Sequence, residues 1–175
     1  MDSTNTPRYE YLDEELKLDN TYLETVCEKF NFLEPPFDPI KLSNTLTVLR
    51  EKLGGIGLAA NQVGIPFRVI SVKGIDTCLF NPIIVHRGEE SKVQPEGCLS
   101  FPGLAVKIKR PTYVRIRYTT AQNEVITKTY HHMTARVIQH EIDHLDGIHF
   151  WTRANQFHRE QAFRQFRRNQ KRIAA

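Results

Sequence analysis

The sequence predicts an α+β fold: antiparallel or mixed β-sheets wrapped around a central buried helix, with an N-terminal helix and a basic C-terminal helix. Leucines recur at helical spacing between Leu42 and Leu53. Apolar and charged residues alternate in the runs 113–118 and 124–130, and residues 134–145 return to helical spacing. A chain of 175 residues, 40% hydrophobic and 25% charged, suits one globular domain.

The first part of the chain is acidic and polar and ends at Pro35-Pro36, a pair that stops any preceding helix. We expect an arm here, with a short helix near residues 20–30 that packs loosely on the domain. From Asp38 a helical pattern begins, and Gly54-Gly55 ends it. The leucines at this spacing are Leu42, Leu46, Leu49 and Leu53.

Strands are predicted at residues 67–72 and 78–85. Asn81-Pro82 interrupts the second run and indicates an edge position or a bulge. The runs 113–118 and 124–130 are separated by a short polar segment, which predicts a hairpin.

The run 134–145 predicts a largely buried helix that ends at Gly147. A last helix is predicted over 153–173, with Phe157, Phe163 and Phe166 docked on the domain and a basic face exposed. From residue 151 onward the net charge is +6, against +4 for the whole chain. Such a tail suits a phosphate backbone, so a nucleic-acid-binding module is one interpretation, and a solvated face is the other.

The chain has three cysteines, Cys27, Cys78 and Cys98. A small and odd number of cysteines argues against a disulfide framework. No apolar run has the length of a signal peptide or of a membrane span. We therefore expect the cytoplasm, or an equivalent reducing compartment of an organelle or host cell, with neither membrane nor DNA as a partner.

Within the buried helix, His140-Glu141-Ile142-Asp143-His144 has the pattern H-E-x-x-H. A four-residue step places both imidazoles on one helical face, where they can bind one metal ion beside a glutamate. His131 and His132 precede this helix, and we expect them to be exposed or capping residues.

A catalytic metal site needs a third protein ligand, and the spacing leaves its identity open. His149, His158 and Glu160 lie downstream, as in general metallopeptidases, although the metzincin position holds Phe150. Cys98 is the upstream candidate, and it could equally be an ordinary buried thiol.

Residues 55–62 form a small, glycine-rich stretch that ends in Gln62. It is either a helix cap followed by a strand, or a backbone that a ligand approaches closely, with Gln62 as its polar group.

Three segments, 55–62, 96–100 and 139–147, together resemble the signature segments of the peptide deformylase family, in the same order. The resemblance covers Asp38 to about Phe150. It implies a metal-dependent hydrolase that removes the N-formyl group from formyl-methionine on newly made polypeptides and releases formate. The organisation we expect is an N-terminal arm (1–37), a deformylase-like catalytic domain (38–150) and a basic C-terminal helix on the same domain (151–175).

The resemblance implies that Cys98, His140 and His144 bind one divalent metal ion. Ferrous iron is the expected physiological ion, with zinc, nickel or cobalt as substitutes. Glu141 resembles the residue that serves as general base and general acid. A basic tail in this family also implies a contact with the ribosome, near the emerging peptide.

Gln62 and the Leu99 N–H group are implied donors to the formyl oxygen. Gly57 resembles the residue whose backbone pairs with the substrate, Ile56 resembles a wall of the methionine pocket, and Gly97 lies in the implied substrate-binding segment.

Glu96, Arg110 and Asp143 resemble an ion-pair set that braces the metal site. The chain departs from the family at the N-terminal arm. It also departs at Ala105, where some bacterial members have an arginine, so the contacts to the peptide beyond methionine are open.

Overall fold

The computed structural model describes residues 16–173 and confirms the predicted α+β class. A five-stranded antiparallel sheet, with strand order β1-β2-β3-β6-β7, and a separate β4-β5 hairpin lie on two sides of helix α2. The strands are β1 (Gly57–Ala59), β2 (Val69–Val72), β3 (Leu79–Arg87), β4 (Ser91–Cys98), β5 (Phe101–Pro111), β6 (Tyr113–Thr119) and β7 (Val125–His131). The helices are α1 (Pro39–Lys52), α2 (His132–Leu145) and α3 (Gln156–Ile173).

Helix α1 begins where the sequence predicts. The backbone N–H groups of Ile40 and Lys41 donate to Asp38 Oδ1 at 2.8 and 3.0 Å, which satisfies two of the donors that a helix start leaves unpaired. Leu42 and Leu46 are fully buried on its inner face. The predicted leucine pattern therefore marks the face that packs on the sheet.

The predicted strands and the β6–β7 hairpin are confirmed. Asn81 has φ +50°, and the pairing of β3 with β6 shifts register between Phe80 and Ile83, so the Asn-Pro pair forms a bulge. Because β3 lies between β2 and β6, the edge alternative is wrong.

Helix α2 is the central buried helix, since every residue from Ala135 to Leu145 is buried. Its apolar side chains, among them Ile138 and Ile142, join one core with Ile70 and Val114 of the sheet. Polar side chains at other positions of α2, among them Arg136 and Gln139, contact the β4–β5 hairpin instead. His131 and His132 are exposed at its N-terminus, as predicted.

The β4–β5 hairpin was missed by the sequence analysis. In β5, Leu104, Val106 and Ile108 are buried and alternate with exposed residues, a period-two signal of a half-exposed strand. Phe163 and Phe166 of α3 pack against this hairpin, as predicted. Phe157 was expected to dock as well, but it is 64% exposed, because steps of six and nine residues turn it about 120° and 180° away from Phe163 and Phe166 around the helix.

Two expectations about the arm are wrong. Within residues 16–37 of the arm, only Asn20–Tyr22 is helical, as a 3₁₀ turn. The packing is not loose, because Leu23, Cys27 and Phe30 are buried. The arm is extended because its backbone hydrogen bonds go to the domain, with Cys27 N–H donating to Leu145 O at 2.8 Å. Residues 1–15 lie outside the described part of the chain.

None of the described helices combines the length and the apolar character needed to cross a membrane.

Phe30→Ala tests whether the arm belongs to the core. Phe30 contacts the rings of Phe32, Phe67 and Phe80, so we expect its truncation to lower the free energy of unfolding by about 3–5 kcal/mol. The control Leu33→Ala removes a side chain that is 92% exposed and should change it by about 0.5 kcal/mol or less. Urea unfolding measures both, and equal effects would show that the arm is not part of the cooperative core.

Candidate active site

The described residues contain one group of three or more potential metal ligands, formed by Cys98, His140 and His144. Helix α2 presents both histidines, whose ring centroids lie 5.0 Å apart. Cys98 joins them from the end of β4, where a register shift relative to β5 turns the strand. One donor atom from each residue lies within 4.8 Å of the others, and Cys98 Sγ is 3.2 Å from His144 Nε2.

One ring nitrogen of His140, Nδ1, is already engaged outside the metal-ligand cluster. Nδ1 lies 3.1 Å from Glu96 Oε2 and must carry the proton, because a carboxylate only accepts. Nε2 of His140 is therefore the nitrogen left for the cluster. Burial lowers the pKa of His144 to about 3, so its imidazole is neutral. For His140, burial is outweighed by hydrogen bonds to Cys98 and Glu96, which raise its pKa to about 10.

This donor set fits a divalent metal ion. A thiol sulfur and two imidazole nitrogens are ligands that zinc and ferrous iron accept. His144 is neutral and could bind directly, whereas the raised pKa of His140 keeps a proton on its Nε2 that a metal ion would displace, with Nδ1–H remaining on Glu96. Glu141 supports the fit, because its buried Oε2 has no hydrogen-bond partner among the described residues.

Glu141 is buried beside the histidines. Burial raises the pKa of its carboxyl to about 7. Gly57 of β1 faces it so closely that a Cβ there would overlap Glu141 Oε1 and lie 2.6 Å from Val137 Cγ1. Only glycine lets β1 approach the helix this closely.

Gln62 ends a 3₁₀ turn, Ala60–Gln62, and is buried next to the cluster. Its Oε1 accepts from Ala59 N–H at 2.9 Å, while Nε2 donates to Ser100 Oγ at 3.0 Å and lies 3.5 Å from Cys98 Sγ. The amide is thus oriented with its donor toward the cysteine segment.

The predicted ion-pair set is brought together. Arg110 Nε and Nη2 donate to the two oxygens of Glu96 at 2.7 and 2.8 Å, and Nη1 donates to Asp143 Oδ2 at 2.8 Å. Burial alone would raise the pKa of Glu96, but the hydrogen bonds from Arg110 and His140 lower it to about 2.

Two arginines that the sequence analysis missed complete this set. Arg136 Nη1 donates to Glu96 Oε1 at 2.5 Å, and Arg153 Nη2 donates to Asp143 Oδ1 at 2.7 Å. Arg136 lies one helical turn before His140, so helix spacing places it on the ligand face of α2. No comparable pattern marks Arg153.

The downstream alternatives for a third ligand lie elsewhere. His149 Nε2 is 3.0 Å from Glu24 Oε1, and its ring stacks on Trp151 at a centroid distance of 4.3 Å. His158 lies on α3, as does Glu160, whose carboxylate accepts from Gln156.

A cleft of about 500 Å³ opens beside the cluster. Glycines and apolar residues from β1, β4 and β5 line it, together with the ligand face of α2. Ile56, Gly57, Gly97 and Leu99 all lie along this cleft, so the structure brings the expected substrate-binding residues to the metal cluster.

A family profile described as Polypeptide deformylase matches residues 14–160. Peptide deformylase 1 of Bacillus anthracis is 40% identical over 154 residues, which cover 83% of this chain and 94% of the relative. Peptide deformylase of Natranaerobius thermophilus is 45% identical over 123 residues, 69% of this chain and 78% of the relative.

Two solved structures show the same fold. The Synechococcus elongatus peptide deformylase in complex with actinonin has a TM-score of 0.75 and 27% identity, over 86% of each chain. The deformylase of the Vibrio parahaemolyticus bacteriophage VP16T, also with actinonin, has a TM-score of 0.69 and 36% identity, over 76% of this chain and 96% of that one. The chain therefore belongs to the peptide deformylase family, whose members are metal-dependent hydrolases that remove the formyl group from newly made polypeptides.

Proposed function

We propose that this chain hydrolyses the formyl group of N-formyl-methionine peptides, with Cys98, His140 and His144 holding the metal ion. The convergence of a cysteine with the two H-E-x-x-H histidines beside a cleft carries this proposal. Ferrous iron is the proposed physiological ion, and zinc, nickel or cobalt would occupy the same ligands. The three cysteines are free thiols, which supports a reducing compartment such as the cytoplasm.

A bound divalent ion supplies Lewis acidity, which lowers the pKa of a coordinated water from 15.7 to about 7. Glu141 takes the proton of the attacking water and later delivers it to the departing amine. A carboxyl whose pKa is about 7 suits both roles at neutral pH, because it accepts and releases a proton with little cost.

Gln62 and the backbone N–H of Leu99 are the proposed donors to the formyl oxygen as it becomes negative. The contacts of Gln62 with Ala59 and Ser100 hold its amide before substrate arrives, so little reorganisation accompanies the reaction. Losing one such donor typically costs about 3–4 kcal/mol of transition-state stabilisation.

The substrate is proposed to bind as an added strand. β1 is at the end of the five-stranded order, so its outer edge is unpaired within the sheet, and β4 is an edge of the hairpin. Gly57 and Gly97 belong to these two edges and face one cleft. A peptide lying between them can pair with backbone groups, as in β-strand addition, with Ile56 as a wall for the methionine side chain.

The general metallopeptidase interpretation has less support. It requires a downstream third ligand, but His149 is engaged with Glu24 and Trp151. Cys98 meets the geometric requirement without any rearrangement of the described residues.

We further propose that α3 contacts ribosomal RNA. Its phenylalanines Phe163 and Phe166 pack on the hairpin, which leaves Arg164, Arg167 and Arg168 exposed. Clustered arginines on one exposed helix suit a phosphate backbone.

Glu141→Gln tests the proposed reaction. The amide keeps the shape of the side chain but cannot take a proton, so formate release from a formyl-Met peptide should fall by at least about 10²-fold. Metal content should remain one ion per chain. Assays with ferrous iron are run anaerobically, because a thiolate site is sensitive to oxidation. Normal turnover by the variant would exclude Glu141 as the base, and a wild-type chain without formate release would overturn the function.

Glu96→Gln tests the buried carboxylate by acid unfolding. The folded-state pKa is about 2 and the ordinary value 4.5, so its stabilisation is present above pH 4.5 and is lost as the pH falls toward 2. Between pH 6 and pH 3 the wild type should lose about 2 kcal/mol more unfolding free energy than the variant. The control Glu51→Gln alters a side chain that is 64% exposed and should keep the wild-type pH dependence. If the unfolding free energy of wild type and of Glu96→Gln depended equally on pH, the Glu96 carboxylate would not be the ionised, ion-paired group described above.

Replacement of Arg164, Arg167 and Arg168 by glutamine tests the α3 proposal. Each lost phosphate contact reduces the slope of log affinity against log salt by about 1, so ribosome co-sedimentation should show a slope lower by 2 to 3 units. The matched control replaces three exposed basic residues of β6 and β7, namely Arg115, Arg117 and Lys128. Identical slopes in the two triple variants would rule out α3 as the contact.

A further inference from the structure

Arg136 is a buried arginine on the ligand face of α2, and the reaction described above gives it no role. Its guanidinium makes three hydrogen bonds within the part of the chain that the structure describes. Nη1 donates to Glu96 Oε1 at 2.5 Å and to Ile108 O at 3.1 Å, and Nη2 donates to Lys92 O at 2.6 Å. Arg136 therefore connects α2 to both strands of the β4–β5 hairpin.

The two oxygens of Glu96 share Arg110 as one partner and differ in the other. Oε1 accepts from Arg110 Nε and from Arg136, while Oε2 accepts from Arg110 Nη2 and from His140 Nδ1. Arg110 binds both oxygens through one planar fork from the neighbouring strand, and its Nη1 is held by Asp143. Arg136 and His140 stand one turn apart on the same helix, so they hold the two oxygens from a common rigid support.

We infer that Arg136 is a positioning residue for the metal ligand His140. By holding Oε1, it keeps Oε2 of Glu96 on His140 Nδ1, which retains the proton there and leaves Nε2 for the metal. This inference rests on the metal site proposed above. Partners of ligating histidines typically set metal affinity by 10- to 100-fold, so Arg136 should affect affinity although it is not itself a ligand.

Arg136 lies between two cavities, and this position decides which substitution can test its role. Arg136 lines the active-site cleft on one side and a cavity of about 270 Å³ on the other, which Lys92, Arg110 and His132 also line. A short side chain at this position would remove the hydrogen bonds to Glu96 and would also open a path for water to it. A loss of metal affinity could then not be assigned to either change. Methionine keeps much of the volume and removes every donor, so Arg136→Met is the informative change.

A purely structural role must be separated from positioning, since Arg136 also binds two backbone carbonyls of the hairpin. Gln139 provides the matched control on the same helix. Its Nε2 donates to Pro111 O at 3.2 Å and to Ala135 O at 3.0 Å, and no described contact joins it to Glu96. Gln139→Leu thus removes a buried connection between α2 and the end of β5 while leaving Glu96 and its partners in place.

The experiment measures the Co²⁺ dissociation constant of the full-length, metal-stripped protein by competition with a chromophoric chelator. We expect Arg136→Met to bind Co²⁺ about 10- to 100-fold more weakly than wild type. Gln139→Leu should bind within about threefold of wild type even where its unfolding midpoint falls. Arg136→Lys keeps a donor for Glu96 but cannot reach both carbonyls as well, and it should restore affinity to within about threefold.

Wild-type affinity in Arg136→Met would overturn the inference. Equal losses in Arg136→Lys and Arg136→Met would also overturn it, because the backbone contacts and not Glu96 would then set the affinity. If Arg136→Met does not fold, Arg136→Leu, which likewise has no donor, takes its place, and the same contrast with Arg136→Lys decides. A wild-type protein that binds no Co²⁺ would overturn the metal site itself, an outcome distinct from an unaffected Arg136 variant.

Discussion

The carboxylate of Glu96 joins the two layers of this molecule. It lies on β4 and accepts hydrogen bonds from Arg110 of the neighbouring strand and from Arg136 and His140 of the central helix. A buried charge with a missing partner typically costs 3–5 kcal/mol, so the carboxylate is tolerated only when helix and hairpin meet in this arrangement. The contact between α2 and the β4–β5 hairpin also brings Cys98, two residues further along β4, to the histidines.

The ion pairs continue beyond Glu96. Arg110 also binds Asp143, and Asp143 accepts from Arg153 in the short 3₁₀ helix Phe150–Arg153, which precedes α3. The ligands His140 and His144 are thus carried by a helix whose apolar side is packed on the sheet and whose polar side is hydrogen-bonded. A metal site needs such support, because small displacements of its ligands weaken binding.

Two glutamates near the cluster illustrate how environment separates roles. Glu96, surrounded by donors, has a pKa of about 2 and stays ionised. Glu141 is buried, its Oε2 finds no hydrogen-bond partner among residues 16–173, and its pKa is about 7. Neighbouring carboxyl groups with pKa values that differ this much are suited to different tasks. The first orients a ligand, and the second is available for proton transfer.

The sequence by itself determined the elements whose side chains follow a period, and the ligands that share one helix. The leucines of α1, the alternation in β6 and β7, and the four-residue step between His140 and His144 are local patterns, which a chain displays before it folds. The tertiary structure alone decided how the arm packs, because the backbone groups of the arm form hydrogen bonds with residues far along the chain. It also decided that Arg136 and Arg153 complete the ion pairs around Glu96 and Asp143. These contacts join residues about 40 and 10 positions apart, and their energy depends on desolvation, which no spacing rule encodes.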